Sequence, residues 1–293
     1  MAEMVNVREI LHRYHLRPRK RLGQNFLVDE VHLARIVAVA ELTTADVVLE
    51  IGPGLGTLTT RLAEVAGRVI AVELDPRMVA ILAETLAGRT NVRIVLGDIL
   101  TLDPTQLVIE GSKVEAPLSP AHPIFYKVVA NLPYYITSAV IRHLLEARVP
   151  PSLMVLTVQR EVAQRMIARP PAMNLLAISV QLYASVEIVD RIPAGAFYPV
   201  PKVDSAVVRL RRYPRPAVEV ADMKGFFEVV KAGFGQRRKQ LHNALASGLG
   251  CSPTSIAAAL QMAGVDPHRR AETLTLEEWA RLAKAIDSLT ARC

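Results

Sequence analysis

The chain has 293 residues, of which 51% are hydrophobic and 22% are charged, so it has the composition of a globular protein with ample material for a core. Its two cysteines, Cys251 and Cys293, form no C-x-x-C pair, which excludes a disulfide framework and a zinc site built on thiolates. The formal net charge of +7 favours an anionic partner without identifying it.

Neither a signal peptide nor a membrane span is expected. The first thirty residues contain no continuous apolar run, and the longest uncharged stretch, 240–265, is interrupted by asparagine, glycine and proline. The small number of cysteines favours a reducing compartment, and we expect the cytoplasm.

Short β-rich runs alternate with helical patterns through the first two thirds of the chain. This alternation predicts a parallel sheet covered by helices on both faces. Because the last runs follow one another without a helix, we expect an antiparallel hairpin at one edge. Asp75-Pro76 is predicted to start a helix, with proline at its first position. The predicted strands are 47–51, 69–73, 92–96, 127–131, 153–159, 178–189 and 205–210, and the predicted helices are 58–66, 76–87, 138–148 and 161–168.

The pattern changes at residues 213–216, Tyr-Pro-Arg-Pro, beyond which only helical periodicity remains. We place a domain boundary there, between an α/β domain of residues 1–213 and a small all-helical domain of residues 214–293. Thr275 and Glu278 are predicted to form a capping box at the start of the last helix. Residues 111–123 are interpreted as a surface loop. The helices predicted in this part are 223–232, 239–245, 254–262 and 276–289.

A glycine-rich turn follows the first predicted strand and opens a helix. Gly52, Gly54 and Gly56 lie at alternate positions, and glycines there let the backbone approach a ligand closely. The dinucleotide fingerprint G-x-G-x-x-G would require glycine at Thr57. A plain strand-to-helix turn has a similar pattern, so the glycines alone do not identify a nucleotide site.

Two carboxylates follow the next two predicted strands. Glu73 ends the second strand, 21 residues after Gly52, where an acidic group can accept hydrogen bonds from both hydroxyls of a ribose. Asp98 follows the third strand and can accept a hydrogen bond from an exocyclic amine. A solvated carboxylate at a strand end would explain either one alone. Three ligand-type features after three successive strands favour a nucleotide-like ligand at the carboxyl edge of one sheet.

The sequence Asn131-Leu132-Pro133-Tyr134 after the fourth predicted strand is the most specific motif. Proline fixes the turn and favours an extended Leu132, which would aim the Asn131 amide oxygen and the Leu132 carbonyl into the cleft. Tyr134 would stand beside them as a flat stacking surface. A capping asparagine and a core tyrosine are the alternative, which fits less well because the motif lies where the reactive end of a bound cofactor should be.

These residues and several further segments resemble the ribosomal RNA adenine dimethyltransferase family, in particular its small-subunit branch. The likeness covers nearly the whole chain. The segments that carry it are KRLGQNFL at 20–27, LEIGPGLG at 49–56, VELD at 72–75, GD at 97–98, ANLPYY at 130–135, QREVAQRM at 159–166, FYPVPKVDS at 197–205 and FGQRRK at 234–239.

The resemblance implies a Rossmann-like class I methyltransferase fold, with a seven-stranded, mostly parallel sheet that binds S-adenosylmethionine in 1–213 and an RNA-binding helical domain in 214–293. It implies transfer of methyl groups to N6 of adenines, two adjacent ones being expected, near the 3′ end of small-subunit ribosomal RNA. The product would be N6,N6-dimethyladenosine, made by a monomer without a metal on a pre-ribosomal subunit.

The resemblance also assigns residues to roles, with Tyr134 and Phe197 on the two sides of the target base. The implied cofactor contacts are Asn25, Leu27, Gly52, Gly54, Glu73, Asp98 and Asn131, and the implied catalytic residues are Asn131, Leu132, Pro133, Tyr134 and Phe197. The chain departs from the family pattern before the sixth strand, where Leu175 and Leu176 stand in place of Tyr-Gly. Gln240 and His242 replace an expected Thr and Arg. These departures concern local RNA contacts rather than the cofactor site.

Four basic clusters, at 17–21, 209–215, 237–239 and 268–270, are candidates for RNA binding. Residues 205–293 contain 14 basic and 8 acidic side chains, a net +6 of the total +7. A solvated charged face explains any one cluster, but the concentration of charge favours an RNA platform. The predicted contacts are Arg17, Lys20, Arg21, Arg209, Arg211, Arg237, Arg238, Lys239, Arg269 and Arg270.

Three other hypotheses stay open from the sequence. Large-subunit resistance methyltransferases share the early motifs, but the C-terminal resemblance argues against that branch. A non-enzymatic RNA-binding assembly or transcription factor could keep the fold without turnover, against which the intact motif at 131–134 argues. A nicotinamide-dependent oxidoreductase is disfavoured by Thr57 in place of the third fingerprint glycine.

Overall fold

The structure is a computed structural model that describes residues 6–112 and 125–290. Its strands are β1 (Phe26–Leu27), β2 (Val47–Ile51), β3 (Arg68–Glu73), β4 (Val92–Leu96), β5 (Lys127–Asn131), β6 (Leu153–Gln159), β7 (Ala184–Ile192), β8 (Phe197–Tyr198) and β9 (Ser205–Arg212). Its helices are α1 (Val7–Arg13), α2 (Glu30–Val39), α3 (Thr57–Val65), α4 (Pro76–Thr85), α5 (Pro104–Ser112), α6 (Thr137–Leu145), α7 (Arg160–Met166), α8 (Leu175–Gln181), α9 (Met223–Phe234), α10 (Leu241–Leu249), α11 (Pro253–Ala263) and α12 (Leu276–Thr290).

Seven strands form one sheet in the order β4-β3-β2-β5-β6-β9-β7. The strands from β4 to β6 are parallel, and β9 pairs antiparallel with β6. The seven-stranded, mostly parallel sheet expected from the sequence is therefore confirmed. The strand order reverses between β2 and β5, and in open α/β sheets the crevice outside the carboxyl ends at such a point is the usual ligand site.

The central strands are mostly apolar because both faces of the sheet are covered. Val48, Val69 and Val129 have no exposed surface, and they share one core cluster with Leu33 of α2 and Leu62 of α3. The helix predicted at Asp75-Pro76 begins there, since the Asp75 carboxylate caps α4 and Pro76 is at its first turn.

The strand predicted over residues 178–189 is wrong in its first part, where residues 178–181 belong to α8. The Asn174 side chain caps this helix by accepting a hydrogen bond from the backbone N–H of Ala177 at 3.1 Å. Apolar and polar residues alternate in Ile178-Ser179-Val180-Gln181 as they do in a strand, so the local pattern predicts the wrong element here. The strand β7 begins only at Ala184, at the edge of the sheet beside β9.

The loop predicted over residues 111–123 is also wrong at its start, because Gly111 and Ser112 end α5. Gly111 packs so closely on the sheet that a Cβ there would lie 2.3 Å from Cδ1 of Ile70. The glycine therefore serves close packing rather than a turn. Residues 113–123 lie outside the described residues.

The described residues fall into two compact units. One holds residues 6–112, 125–163 and 186–212, and the other holds 164–185 and 213–290. The segment 164–185, which includes the first two residues of β7, belongs to the second unit. The assignment of 1–213 and 214–293 to cofactor binding and RNA binding stays a prediction.

The second unit is built from α8 to α12 around its own apolar core. Phe226, Leu260 and Trp279 are among its fully buried side chains. The capping box predicted at Thr275 and Glu278 is confirmed, because the Thr275 N–H donates to Glu278 at 2.8 Å and the Glu278 N–H donates to Thr275 Oγ1 at 3.2 Å. Within the described residues, no helix has the length and apolarity needed to cross a membrane.

Candidate active site

A cleft opens at the carboxyl edge of the sheet, where β2, β3 and β5 end. The N-terminal segment 22–27 forms a further wall of this cleft. All seven residues expected to contact a cofactor line it, namely Asn25, Leu27, Gly52, Gly54, Glu73, Asp98 and Asn131. The structure thus brings the predicted residues to one place, and their binding roles stay a prediction.

The glycine-rich turn after β2 forms the floor of the cleft. Gly52 and Gly54 have φ angles of 69° and 59°, in the left-handed region that favours glycine. A Cβ at Gly54 would also lie 2.8 Å from the ring of Phe26. The turn therefore needs glycine for its backbone path and for its close packing against Phe26.

Glu73 is held rigidly at the end of β3, where it is only 7% exposed. Its Oε2 accepts a hydrogen bond from the Gly54 N–H at 3.0 Å, and its Oε1 accepts one from the Asp75 N–H at 2.8 Å. Burial raises the pKa of this carboxyl above its ordinary value. Since each carboxylate oxygen has two acceptor sites, both oxygens can still accept a ligand hydroxyl.

The N-terminal wall is tied to the sheet through Gln24, a residue that the sequence reasoning did not single out. The Gln24 side chain accepts from the Arg19 N–H at 2.7 Å and donates to Asp75 Oδ2 at 3.1 Å. The buried Asp75 carboxylate also binds the Arg77 guanidinium, which lowers the pKa of Asp75 to about 2. This fully ionised carboxylate fixes the segment that carries Asn25.

The motif after β5 is anchored to its surroundings by Asn131 and Leu132. The Asn131 Nδ2 donates to the backbone carbonyl of Asn25 at 3.1 Å, which leaves Oδ1 as the acceptor on that amide. The Leu132 N–H donates to the Thr157 carbonyl of β6 at 3.2 Å. Pro133 lines the cleft, whereas the Leu132 side chain is buried.

The two rings expected to enclose the target base differ in exposure. Tyr134 is half-buried, and its hydroxyl lies 2.7 Å from Ser205 Oγ. Phe197 is 2% exposed and packs in the core with Leu27, the residue it pairs with in register. Stacking of Phe197 on a base stays a prediction. Tyr135, which the sequence reasoning did not assign, lines the cleft and is 60% exposed.

Glu50 is the third residue of the cleft, after Gln24 and Tyr135, that the sequence reasoning left without a role. It is 1% exposed, and its Oε2 has no hydrogen-bond partner among the described residues. Burial, helped by the nearby Glu73 carboxylate, raises the pKa of Glu50 to about 8. The only sequence signal was its position directly before the glycine-rich turn.

Glu50→Gln is expected to stabilise the cofactor-free protein increasingly as the pH rises from about 5 to 8. The unfolded chain releases the Glu50 proton near its ordinary pKa of 4.5 and the folded chain only near 8, so the native protein loses stability across this window. Melting temperatures of both proteins at pH 5, 6.5 and 8 measure the effect. A difference in melting temperature between the two proteins that is the same at all three pH values would contradict the prediction.

The basic residues expected to bind RNA fall into two groups. Arg209 and Arg211 pair with Glu41, Arg209 pairs also with Glu187, and Arg269 forms a two-point ion pair with Glu278. Arg211 is nevertheless exposed, and the other exposed members of the set are Arg17, Arg21, Arg237, Arg238, Lys239 and Arg270. The Lys20 side chain lies outside the described part. RNA contact stays a prediction for both groups. The ion pairs of Arg209, Arg211 and Arg269 reduce the positive charge that these three residues can offer to a phosphate.

The sheet order, the glycine-rich turn after β2 and the acidic end of β3 define a class I methyltransferase fold. Residues 15–288 match the model of the family described as ribosomal RNA adenine dimethylase, and the chain belongs to this family. The family predicted from the sequence is thereby confirmed. Membership excludes the nicotinamide-dependent oxidoreductase.

Curated relatives match this chain over nearly its whole length. Proteins described as ribosomal RNA small subunit methyltransferase A are 46% identical in Dehalococcoides mccartyi, over 95% of this chain and 92% of the relative, and 47% identical in Pelotomaculum thermopropionicum, over 98% and 97%. In Streptococcus sanguinis the identity is 44%, over 98% of both chains.

Two solved structures share the fold. The 23S rRNA methyltransferase ErmE is 32% identical, covers 90% of this chain and all of its own, and superposes with a TM-score of 0.67. A dimethyladenosine transferase from Plasmodium falciparum superposes with a TM-score of 0.72 at 23% identity, over 90% of this chain and 98% of its own. Among the residues described, no group of three or more His, Cys, Asp or Glu side chains is placed to hold a metal ion.

Proposed function

We propose that the protein transfers methyl groups to N6 of adenines in small-subunit ribosomal RNA, giving N6,N6-dimethyladenosine. The observation that carries the proposal is the position of Asn131 at the end of β5, in the same cleft as Gly52 and Glu73. The names of the curated relatives support the small subunit as substrate, and their identity of 44–47% exceeds the 32% to the large-subunit enzyme.

The residues of the cleft fit S-adenosylmethionine, which when bound supplies a methyl group on a sulfonium. The buried Oε2 of Glu50 has no hydrogen-bond partner among the described residues, and the glycine turn is open at Gly52, where the side chain nearest to an added Cβ would be Pro133 at 3.9 Å. Glu73 would accept the ribose hydroxyls, and Asp98 would accept from the exocyclic amine of the cofactor's adenine. The segment 22–27 would form a further wall around the ligand.

The motif at 131–134 makes the adenine amine a better nucleophile. The N6 lone pair is delocalised into the ring, so the free base attacks poorly. Asn131 Oδ1 and the Leu132 carbonyl accept the two N–H groups and favour a pyramidal nitrogen with a localised lone pair. Their contribution is positioning and electrostatic stabilisation. No general base is required, because the methylated amine is acidic enough to release its proton to water.

The base must leave its stack to reach the cleft, and an aromatic face offsets part of that cost. Tyr134 provides this face in the proposal, and Phe197 faces the other side of the base. After one transfer the amine keeps one N–H, which one of the two carbonyl acceptors still holds. A second methyl group can therefore be added where the side chains around N6 are short or planar, as Asn131 and Tyr134 are.

Labelled methyl transfer to unmethylated small subunits, followed by mass spectrometry of the nucleosides, tests the proposal. We expect N6,N6-dimethyladenosine, on two neighbouring adenines near the 3′ end, and no label in large subunits. Label only in large subunits would support the resistance branch. Cofactor binding without transfer to either subunit would support a non-enzymatic assembly factor. Methylcytosine, or monomethyladenosine alone at exhaustive turnover, would contradict the assignment.

The same proposal places the protein in the cytoplasm, as a monomer acting on a pre-ribosomal particle. A substrate that consists of immature small subunits requires access to the compartment in which they assemble. Fractionation of cells and sedimentation of the purified protein, alone and with small subunits, measure the location, the oligomeric state and the particle that it binds.

Arg237→Ala combined with Arg238→Ala is expected to weaken RNA binding and to reduce the slope of log K against log salt by about one unit for each phosphate that the protein ceases to neutralise. Both side chains are exposed, and no ion pair within the described residues engages them. Filter binding over a range of salt concentrations measures the slope. Arg93→Ala is the control. Arg93 is paired with Glu110, and both residues belong to the unit that does not contain Arg237 and Arg238. An unchanged slope in the double variant would show that this cluster does not bind RNA.

A further inference from the structure

Ser205 is a buried hydroxyl that none of the steps above uses. It opens β9 and lies opposite Gln159 of β6 in the antiparallel register, and it has no exposed surface. Its Oγ is 2.7 Å from the hydroxyl of Tyr134, a residue 71 positions earlier in the chain. The bond thus joins a strand of the sheet to the turn that follows β5.

This bond fixes the one end of Tyr134 that its backbone cannot fix. The turn is held near its start, where Asn131 donates to the Asn25 carbonyl and Leu132 donates to the Thr157 carbonyl. Beyond those points the tyrosine ring can still rotate about its two side-chain torsions. Because Ser205 is part of a paired strand, its hydroxyl is a stationary partner for the phenol. Burial also raises the pKa of the phenol, which stays protonated and able to donate.

We propose that Ser205 is a positioning residue that holds the Tyr134 ring in the plane in which it stacks on the target adenine. The inference rests on the proposed function, since it assigns Tyr134 the stacking role. A ring ordered before the base arrives needs no further ordering on binding, and such preorganisation strengthens binding and speeds the following step. Ser205 acts through Tyr134 and does not itself contact the base.

A purely structural role makes a different prediction. If the bond only satisfied two buried hydroxyls, its removal would lower the folded fraction and hence the apparent kcat, with an unchanged KM for the RNA substrate. If the bond orients the ring, its removal raises KM for the subunits as well. The Ser205 and Tyr134 hydroxyls can also be removed separately or together. Because both act through the same hydrogen bond, their effects on kcat/KM should be non-additive.

The experiment measures kcat and KM for unmethylated small subunits with Ser205→Ala, Tyr134→Phe and the double variant. Each single variant should lower kcat/KM about two- to tenfold, with a higher KM, and the double variant should be no worse than the poorer single one. Affinity for S-adenosylmethionine, measured by calorimetry, should stay within about twofold. Ser152→Ala, which removes a hydroxyl bonded to the Tyr126 carbonyl before β6, is the control and should leave both constants unchanged.

Three results would overturn the inference: kinetics of Ser205→Ala equal to those of the parent, an unchanged KM for the subunits, or single effects that multiply in the double variant. If Ser205→Ala does not fold, Tyr134→Phe breaks the same bond from the other side and reports on it alone. Tyr134→Ala separates the stacking role from the positioning role. Full turnover of Tyr134→Ala would contradict the stacking role in the proposed function, whereas its inactivity together with an unaffected Ser205→Ala would contradict only the role of Ser205.

Discussion

Asn131→Ala is expected to lower the methyl-transfer rate about 10²- to 10³-fold while it changes affinity for S-adenosylmethionine only a few-fold. Removal of a single hydrogen-bonding group that stabilises charge developing in a transition state typically lowers the rate by this factor. The amide oxygen contributes most as the adenine nitrogen becomes pyramidal, so its removal affects kcat rather than binding of the ground state. Single-turnover kinetics on small subunits and calorimetry of the cofactor measure the two quantities.

Two further asparagine variants make the result specific. Asn131→Asp keeps an acceptor oxygen but loses the N–H bond to the Asn25 carbonyl, so it should retain part of the rate. Asn91→Ala removes an amide that binds the Ala63 and Ala66 carbonyls before β4, and it should affect stability only. Equal losses of rate and cofactor affinity in Asn131→Ala would mean that the residue serves the cofactor alone.

Glu73→Ala is expected to weaken S-adenosylmethionine binding about 10- to 100-fold, from the typical worth of a hydrogen bond to a charged group. Both oxygens of this carboxylate are already held by backbone N–H groups, so they meet a ribose without reorganisation. Because burial raises the pKa of Glu73, the affinity of the parent should decline on acidification at a higher pH than an ordinary carboxylate would cause. Calorimetry from pH 5 to 8 measures both effects.

The control for Glu73 must separate ribose binding from support of the glycine turn. Glu110→Ala removes an exposed carboxylate paired with Arg93 and should leave affinity unchanged. Glu73→Gln keeps the side-chain volume, but its amide nitrogen would face one of the two backbone N–H groups. A melting temperature close to that of the parent, together with weak binding, assigns the effect to the ligand. Unchanged affinity in Glu73→Ala would make Glu73 a structural carboxylate only.

The sequence was most informative where one residue type has one physical reason to be present. Gly54 needs both a left-handed backbone and close contact with the Phe26 ring, so the cleft could be placed from the glycine spacing. Asp75-Pro76 and the Thr275–Glu278 pair mark helix starts through local hydrogen bonds, which sequence proximity alone determines. Such features depend on neighbours a few positions away.

The sequence was least informative where long-range packing decides. At residues 178–181 apolar and polar residues alternate as they do in a strand, yet the segment belongs to α8, so the local period predicted the wrong element. The bonds of Gln24 with Asp75 and of Tyr134 with Ser205 join residues 51 and 71 positions apart. Glu50 could not be identified from the sequence, because the lack of a hydrogen-bond partner for its Oε2 among the described residues is a property of the folded cleft. None of these leaves a local pattern in the chain.

The hydrogen bond from Asn131 to Asn25 has a consequence for how sequences of this kind can diverge. Its donor is a side-chain amide and its acceptor is a backbone carbonyl, so the two ends carry unequal constraints. For this bond alone, position 25 accepts any residue that keeps the path of the chain, whereas position 131 requires an amide. Mutational drift can therefore alter the side chain at 25 without losing this bond, but a change at 131 that removes the donor breaks it and leaves the bond of Gln24 with Asp75 to hold the N-terminal wall.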